Sequence, residues 1–266
     1  MKGLNFSKDF FWGASVSSHQ VEGNHTNNWS DWEYRNAKRL AREASSKKGW
    51  LNNWEDIKSL AQDPSNYISG PATNHRELFQ RDFDLIKEIN LNSFRFSLEW
   101  SWIEPSEGNF NKEAIGFYHK YIDELRKREI EPFVTIFHWS LPIWFENKGG
   151  FKNSKNLKYF KRFIEAICKE YAGKVKYWIT LNEPRIYCSE SFLNGRWPPQ
   201  DKSIFSYLEV LMNLGKAHSI AYRCLKQHSA SINVGISENI ASYTCGGGII
   251  DRIARRFFSW YEIRLL

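Results

Sequence analysis

An amide, a guanidinium, an imidazole and a carboxylate stand at the ends of four successive apolar runs in this sequence. In YWITLNEPRIY, residues 177–187, the run closes at Asn182 and Glu183, just before Pro184. His138 and Trp139 close an earlier run, Arg95 lies inside Phe94-Arg95-Phe96-Ser97, and Gln20 follows the first run in Ser18-His19-Gln20-Val21-Glu22-Gly23. Each has an ordinary structural account when taken alone. A carboxylate at Glu183 suits a helix start, with Pro184 in the first turn. Arg95 suits a buried ion pair, His138 a satisfied core position and Gln20 a loop. Separate accounts of this kind do not explain why all four types fall at strand ends, and that coincidence favours one shared site.

The same groups narrow the ligand. Amides and an imidazole offer donors and acceptors, and 12 Trp residues offer indole faces, a combination suited to a neutral polyhydroxylated molecule such as a sugar. No phosphate cradle is evident, since Gly246-Gly247-Gly248 has no following Lys-Ser/Thr and stands away from any strand end. Cys168, Cys188, Cys224 and Cys245 lack C-x-x-C spacing and have no His at zinc-ligand distance. No metal or other cofactor is therefore expected, and the thiols read as free in a reducing cytoplasm.

Elements able to hold such a site follow from the hydrophobic pattern. Short runs rich in β-branched and aromatic residues alternate with segments of helical period, the mark of βα units on a parallel sheet in an α/β fold. Strands are predicted at Phe10 to Ser17, Ser93 to Trp100, Pro132 to Trp139, Tyr177 to Leu181 and Ile232 to Ser237, apolar enough to be covered on both faces. Four helices bury Phe79, Phe83, Ile86 and Ile89; Ile115, Tyr118, Ile122 and Leu125; Leu157, Phe160, Ile164 and Ile167; and Leu211, Leu214, Ala221 and Leu225. The third closes near Gly173 and the fourth starts at Ser203. The stretch from about Ser18 to His75 is far longer than a usual connection, which marks it as functional or partly helical. No repeat or linker divides residues 1–266, so a single domain is expected.

Composition excludes several classes of function. Lys and Arg total 37 against 30 Asp and Glu, a net charge of +7, but the charges are mixed along helices and the dense basic cluster is Arg252, Arg255 and Arg256. Nucleic-acid binding, which needs a basic face and a recognisable module, is not expected. The opening MKGLNFSKDFFWGAS has too short an apolar run for a signal peptide, and no window approaches the roughly 18 apolar residues of a membrane span. A soluble cytoplasmic protein without membrane contact is the expectation.

FFWGASVSSHQVEG, FRFSLEWSWIEPSEGNFN, EPFVTIFHWSLPIWFENKGGF, YWITLNEP and FLNGRWPP together resemble glycoside hydrolase family 1, the β-glucosidase and β-galactosidase type of (β/α)8 TIM barrel. The resemblance extends over essentially the whole chain. It implies a retaining β-glycosidase that hydrolyses terminal β-linked sugars, with Glu183 as general acid/base and Asn182 on the sugar 2-hydroxyl. It also implies that Gln20, His138 and Trp139 hold the sugar in the first subsite, and that Arg95 sits beside the nucleophile and keeps it ionised.

The sequence departs from the family pattern in one respect. A retaining glycosidase needs a second carboxylate roughly 5–5.5 Å from the first, and the family carries it in a Thr-Glu-Asn-Gly motif on the seventh strand. This chain ends after about five βα units, at Trp260-Tyr261-Glu262-Ile263-Arg264-Leu265-Leu266. Ile236-Ser237-Glu238-Asn239-Ile240 resembles that motif, but its order in the chain assigns Glu238 to the fifth strand rather than the nucleophile. The expectation is thus a C-terminally incomplete barrel with open edges, suited to self-association or to a complementing chain. A carbohydrate-binding remnant without catalysis is the alternative.

Overall fold

The computed structural model describes residues 6–244 and 246–264. The aromatic and β-branched runs form five strands: β1 (Gly13–Ser15), β2 (Ser93–Ser97), β3 (Glu131–Phe137), β4 (Tyr177–Asn182) and β5 (Asn233–Ser237). They pair in parallel in the order β1-β2-β3-β4-β5, each strand beside the next in sequence. A parallel neighbour needs a crossover, and helices supply it here. They span His75–Glu88 before β2, Lys112–Lys127 before β3, Leu157–Tyr171 before β4 and Ile204–His228 before β5, and the helix Ile249–Arg264 follows β5. This is the (β/α) order of a TIM-type barrel.

The helices start where side chains satisfy their first N–H groups. Asn111 accepts from the backbone N–H groups of Glu113 and Ala114, and Ser203 accepts from that of Ser206. Their apolar stripes pack on the sheet as the period predicts, with Phe83, Tyr118, Ile122, Leu125, Phe160, Ile164, Leu214, Ala221 and Leu225 fully buried. Ile89 is a correction, being 66% exposed. It stands one residue past the helix end at Glu88, where the helical period no longer sets its direction.

Strand ends differ from expectation for local reasons. β2 stops at Ser97 because Glu99 caps a short helix, Trp100–Ile103, through the Ser101 N–H. β1 is only three residues long, and Phe10, Phe11 and Trp12 precede it with 41–47% of their surface exposed. The expectation that every strand is covered on both faces holds for β2, β3 and β4 and fails for the edges. Every residue of β1 is exposed, as are Asn233, Gly235 and Ile236 of β5.

The long stretch after β1 is mostly helical, with helices at Ser18–Val21, Asn28–Lys48 and Trp54–Ala61 and a 3-10 turn at Pro64–Tyr67. Gly23 packs against the far end of the same stretch. Its φ of 83° lies in the left-handed region, and a Cβ there would meet the Pro71 carbonyl oxygen at 2.2 Å. Cys168 and Cys188 are buried free thiols and Cys224 is a half-buried one, while Cys245, Leu265 and Leu266 lie outside the described residues. No helix among the described residues is long and apolar enough to cross a membrane.

Candidate active site

Arg95 projects from β2 and links it to β3, β4 and β5. Its Nε donates to Thr135 Oγ1 of β3 (2.9 Å), its Nη1 to Ser237 Oγ of β5 (3.2 Å), and its Nη2 to the Asn182 side-chain oxygen on β4. Burial lowers the Arg95 pKa from its ordinary value, and the negative charge of Glu183 opposes that shift. The guanidinium is thus held by three neutral acceptors with a carboxylate nearby, an arrangement suited to supporting negative charge in the site.

Glu183 follows at the end of β4 in the left-handed region, with φ 43° and ψ 57°. A non-glycine residue rarely adopts that conformation, and it persists only where surrounding bonds impose it. Here the Glu183 N–H donates to the Ser237 carbonyl at 2.7 Å, and Pro184 starts a helix immediately after. The turn leaves one carboxylate oxygen 3.4 Å from the Asn182 amide nitrogen. Asn182 therefore joins the Arg95 guanidinium on one side to the Glu183 carboxylate on the other.

Trp139, just past β3, is also left-handed, with φ 77°. Its indole N–H donates to the Asn182 carbonyl (2.8 Å), while its own carbonyl accepts from Trp29 Nε1 (3.2 Å). Trp197 completes an aromatic wall, with ring centroids 4.6 Å from Trp139 and 5.4 Å from Trp29. His138 stands beside Trp139, its Nδ1 buried without a hydrogen-bond partner. Burial, aided by the positive charge of Arg95, pushes the imidazole down to about 3. It is a neutral group with a free ring nitrogen, able to donate to or accept from a hydroxyl.

Arg95, His138, Trp139, Asn182 and Glu183 are thus brought together at the C-terminal ends of β2, β3 and β4, where the chemistry of such sheets collects. Gln20 stands apart from these bonds. It is exposed on the short helix after β1, with its amide oxygen accepting from Ser17 Oγ at 2.8 Å. Two residues past β2, the fully buried Glu99 carboxylate accepts from Ser18 Oγ (2.8 Å), Ser140 Oγ (2.9 Å) and Ser101 Oγ (2.7 Å). Burial would raise its pKa, but His25, Ser101, His19 and Ser18 outweigh that and keep it below the usual carboxylate value. No cluster of His, Cys, Asp or Glu among the described residues could hold a metal ion.

Residues 3–245 match the family described as "Glycosyl hydrolase family 1". The chain belongs to that family. Among curated relatives, the 1,4-beta-D-glucan glucohydrolase of Thermotoga neapolitana is 28% identical over 236 residues, covering 88% of this chain and 51% of that protein. Beta-glucosidase A of Thermotoga maritima is also 28% identical, over 90% of this chain and 50% of that protein. Among solved structures, the beta-glycosidase from Pyrococcus horikoshii superposes with a TM-score of 0.78 at 34% identity, covering 97% of this chain and 54% of that one. The chain spans about half the length of these family 1 relatives.

Several residues of this family 1 site carry no separate sequence signal. Ser237 and Thr135 are common strand residues whose importance arises from contacts 142 and 40 positions away, with Arg95. Trp29 lies in the long stretch that reads as functional or partly helical, and its Trp-rich composition was the available clue. Trp197 lies within FLNGRWPP, a motif of the resemblance that gave the tryptophan itself no role.

Proposed function

We propose that this chain carries the acid/base and part of the sugar-binding surface of a retaining β-glycosidase. Glu183 protonates the glycosidic oxygen and later activates water, and Asn182 holds the sugar 2-hydroxyl. His138 and Trp139 hold the first sugar, with Gln20 as a further hydroxyl partner. Arg95 supports the ionised nucleophile. The observation that carries this reading is the left-handed turn at Glu183, which sets its carboxylate beside Asn182 while Arg95 holds the other face of the same amide.

The nucleophile in this reading comes from βα units beyond the five described, because Glu238 follows β5 directly and so belongs by its order in the chain to the fifth strand rather than the seventh. The experiment is hydrolysis of 4-nitrophenyl β-glucoside by the purified chain, alone and together with the remaining units of a family 1 barrel. The expected result is turnover only in combination, lost in Glu183→Gln. Turnover by the 266-residue chain alone, abolished by Glu183→Gln, would overturn the distant nucleophile.

A second reading has its own support. Apolar residues are exposed at both sheet edges, including Trp12 beside β1 and Ile236 on β5, a surface that suits a complementing chain or self-association. Under this reading the chain binds a β-glycoside without cleaving it, and calorimetry that finds no sugar binding by folded protein counts against it.

A further inference from the structure

Two cysteines that the glycosidase chemistry does not use meet between the helices that precede β4 and β5. Lys161, Glu165 and Cys168 recur at helical spacing in the helix Leu157–Tyr171, and Ile220, Cys224 and Gln227 recur at the same spacing in the helix Ile204–His228. Each set therefore shares one face of its helix. All of them except Cys168, together with Arg223, line a cavity of about 320 Å³ between the two helices. Cys168 is 4% exposed and belongs to the core, whereas Cys224 is half-buried and packs against that core from the cavity wall. Both thiols are free of any disulfide, and a side-chain hydrogen bond joins them.

We propose that Cys168 and Cys224 form a redox pair, which hydrogen peroxide entering the cavity converts to a disulfide bridging the two helices. The order of events follows from exposure. Cys224 stands on the cavity wall and meets the oxidant, while Cys168 is shut away from it and meets Cys224. First the Cys224 sulfur attacks the peroxide as the thiolate. An S–O bond forms, the O–O bond breaks, the sulfur is oxidised to a sulfenic acid, and the second oxygen leaves as water with the proton the thiol gave up. Then the Cys168 sulfur attacks Cys224, an S–S bond forms, the S–O bond breaks, and the Cys168 proton departs with that oxygen as a second water. One hydrogen peroxide and two thiols thus give one disulfide and two waters. Burial, and then the hydrogen bond to Cys224, hold the Cys168 thiol pKa above its ordinary value, so Cys168 keeps its proton until that second step. A disulfide demands side chains that already face each other, and the hydrogen bond between the thiols meets that demand. The bond closes a loop that contains β4, Glu183 and most of the helix Ile204–His228, which restricts the unfolded chain. None of this depends on the reading of Glu183 as an acid.

The test treats the folded 266-residue chain with hydrogen peroxide, alkylates the remaining thiols and maps every cysteine by mass spectrometry. A cross-linked peptide joining Cys168 to Cys224 is expected, together with a rise of roughly 5–10 °C in the unfolding midpoint. Dithiothreitol should reverse both. Cys168→Ala should halt the reaction at a Cys224 sulfenic acid, trapped by dimedone, with no rise in the midpoint. Where that core substitution fails to fold, Cys224→Ser, at the half-buried position, should leave Cys168 unmodified under the same treatment. The inference is overturned if both thiols survive peroxide in the folded chain, or if Cys224 stops at the sulfenic acid while Cys168 is present. Cys224 bonded only to another cysteine or another chain, or Cys168 oxidised in Cys224→Ser, overturns it equally.

Discussion

His138 keeps a neutral imidazole in the folded protein because burial and the Arg95 charge hold its pKa near 3, below the 6.5 of an unrestrained histidine. The unfolded chain therefore takes up a proton as pH falls below about 6.5 and the folded chain does not, so this contribution to stability is present above 6.5 and is lost between 6.5 and 3. At pH 5 the loss relative to pH 7 is about 2 kcal/mol from this residue alone. Denaturant unfolding of the protein and of His138→Gln at both pH values measures it. The variant should lose less stability on acidification, and equal losses would show that the imidazole is not held neutral. At this scale the reactive types were legible, because Glu183, Asn182, Arg95 and His138 are costly to place near apolar strands without a purpose. Glu99 was not, since a carboxylate two residues past a strand has no distinguishing pattern in sequence. Its meaning lies in serine hydroxyls that arrive from 81 positions before and 41 after.

Loops and helices are positioned around β2, β3 and β4 by buried polar fasteners. Glu99 ties the turn after β1, through Ser18, to the turn after β3, through Ser140, the residue that follows the left-handed Trp139. Replacing it by alanine leaves three hydroxyls without their acceptor and a void in a fully buried place, a cost of about 3 kcal/mol. Glu99→Gln keeps the volume and most of the bonds and should cost less than half of that. Chemical denaturation of both variants decides, and equal losses would show that the ionised carboxylate, which both variants lack, matters rather than the volume or the bonds that glutamine keeps. The helix Asn28–Lys48 depends on a similar fastener. The Asn27 side chain accepts from the Ser30 N–H at 2.9 Å, Ser30 Oγ accepts the Asn27 N–H, and the same Asn27 amide contacts His19. Asn27→Ala should lower stability by about 1–2 kcal/mol, and an unchanged unfolding midpoint would show that the cap is dispensable. The order of β and α elements was readable from period alone. This helix was not, because its buried face is made of Ala37, Ala41 and Ala44 rather than large apolar residues.

Among the described residues the molecule has a buried centre and two exposed flanks. The sequence marked all five strands as apolar enough for burial, yet pattern reports which residues want cover and not whether cover is present. In β2, β3 and β4 the demand is met from both sides, whereas β1 and β5 each pair with a single neighbour. Phe10, Phe11 and Trp12 beside β1, Ile236 on β5, and Ile249, Ile250, Ile253 and Phe257 on the last described helix remain exposed, between 36% and 81%. Unpaired strand edges flanked by apolar side chains invite association with any chain that supplies a strand or an apolar face. Sedimentation velocity should therefore find concentration-dependent association of this chain in the micromolar range. Ile250→Lys combined with Phe257→Lys should weaken it, because two charges on one helix face cannot be buried cheaply against another copy. Addition of the remaining βα units of a family 1 barrel should compete with it, since those units pair with the same edges. A monomer at every concentration would show that the flanks are satisfied within the chain, and association unaffected by added βα units would assign self-contact to a different surface.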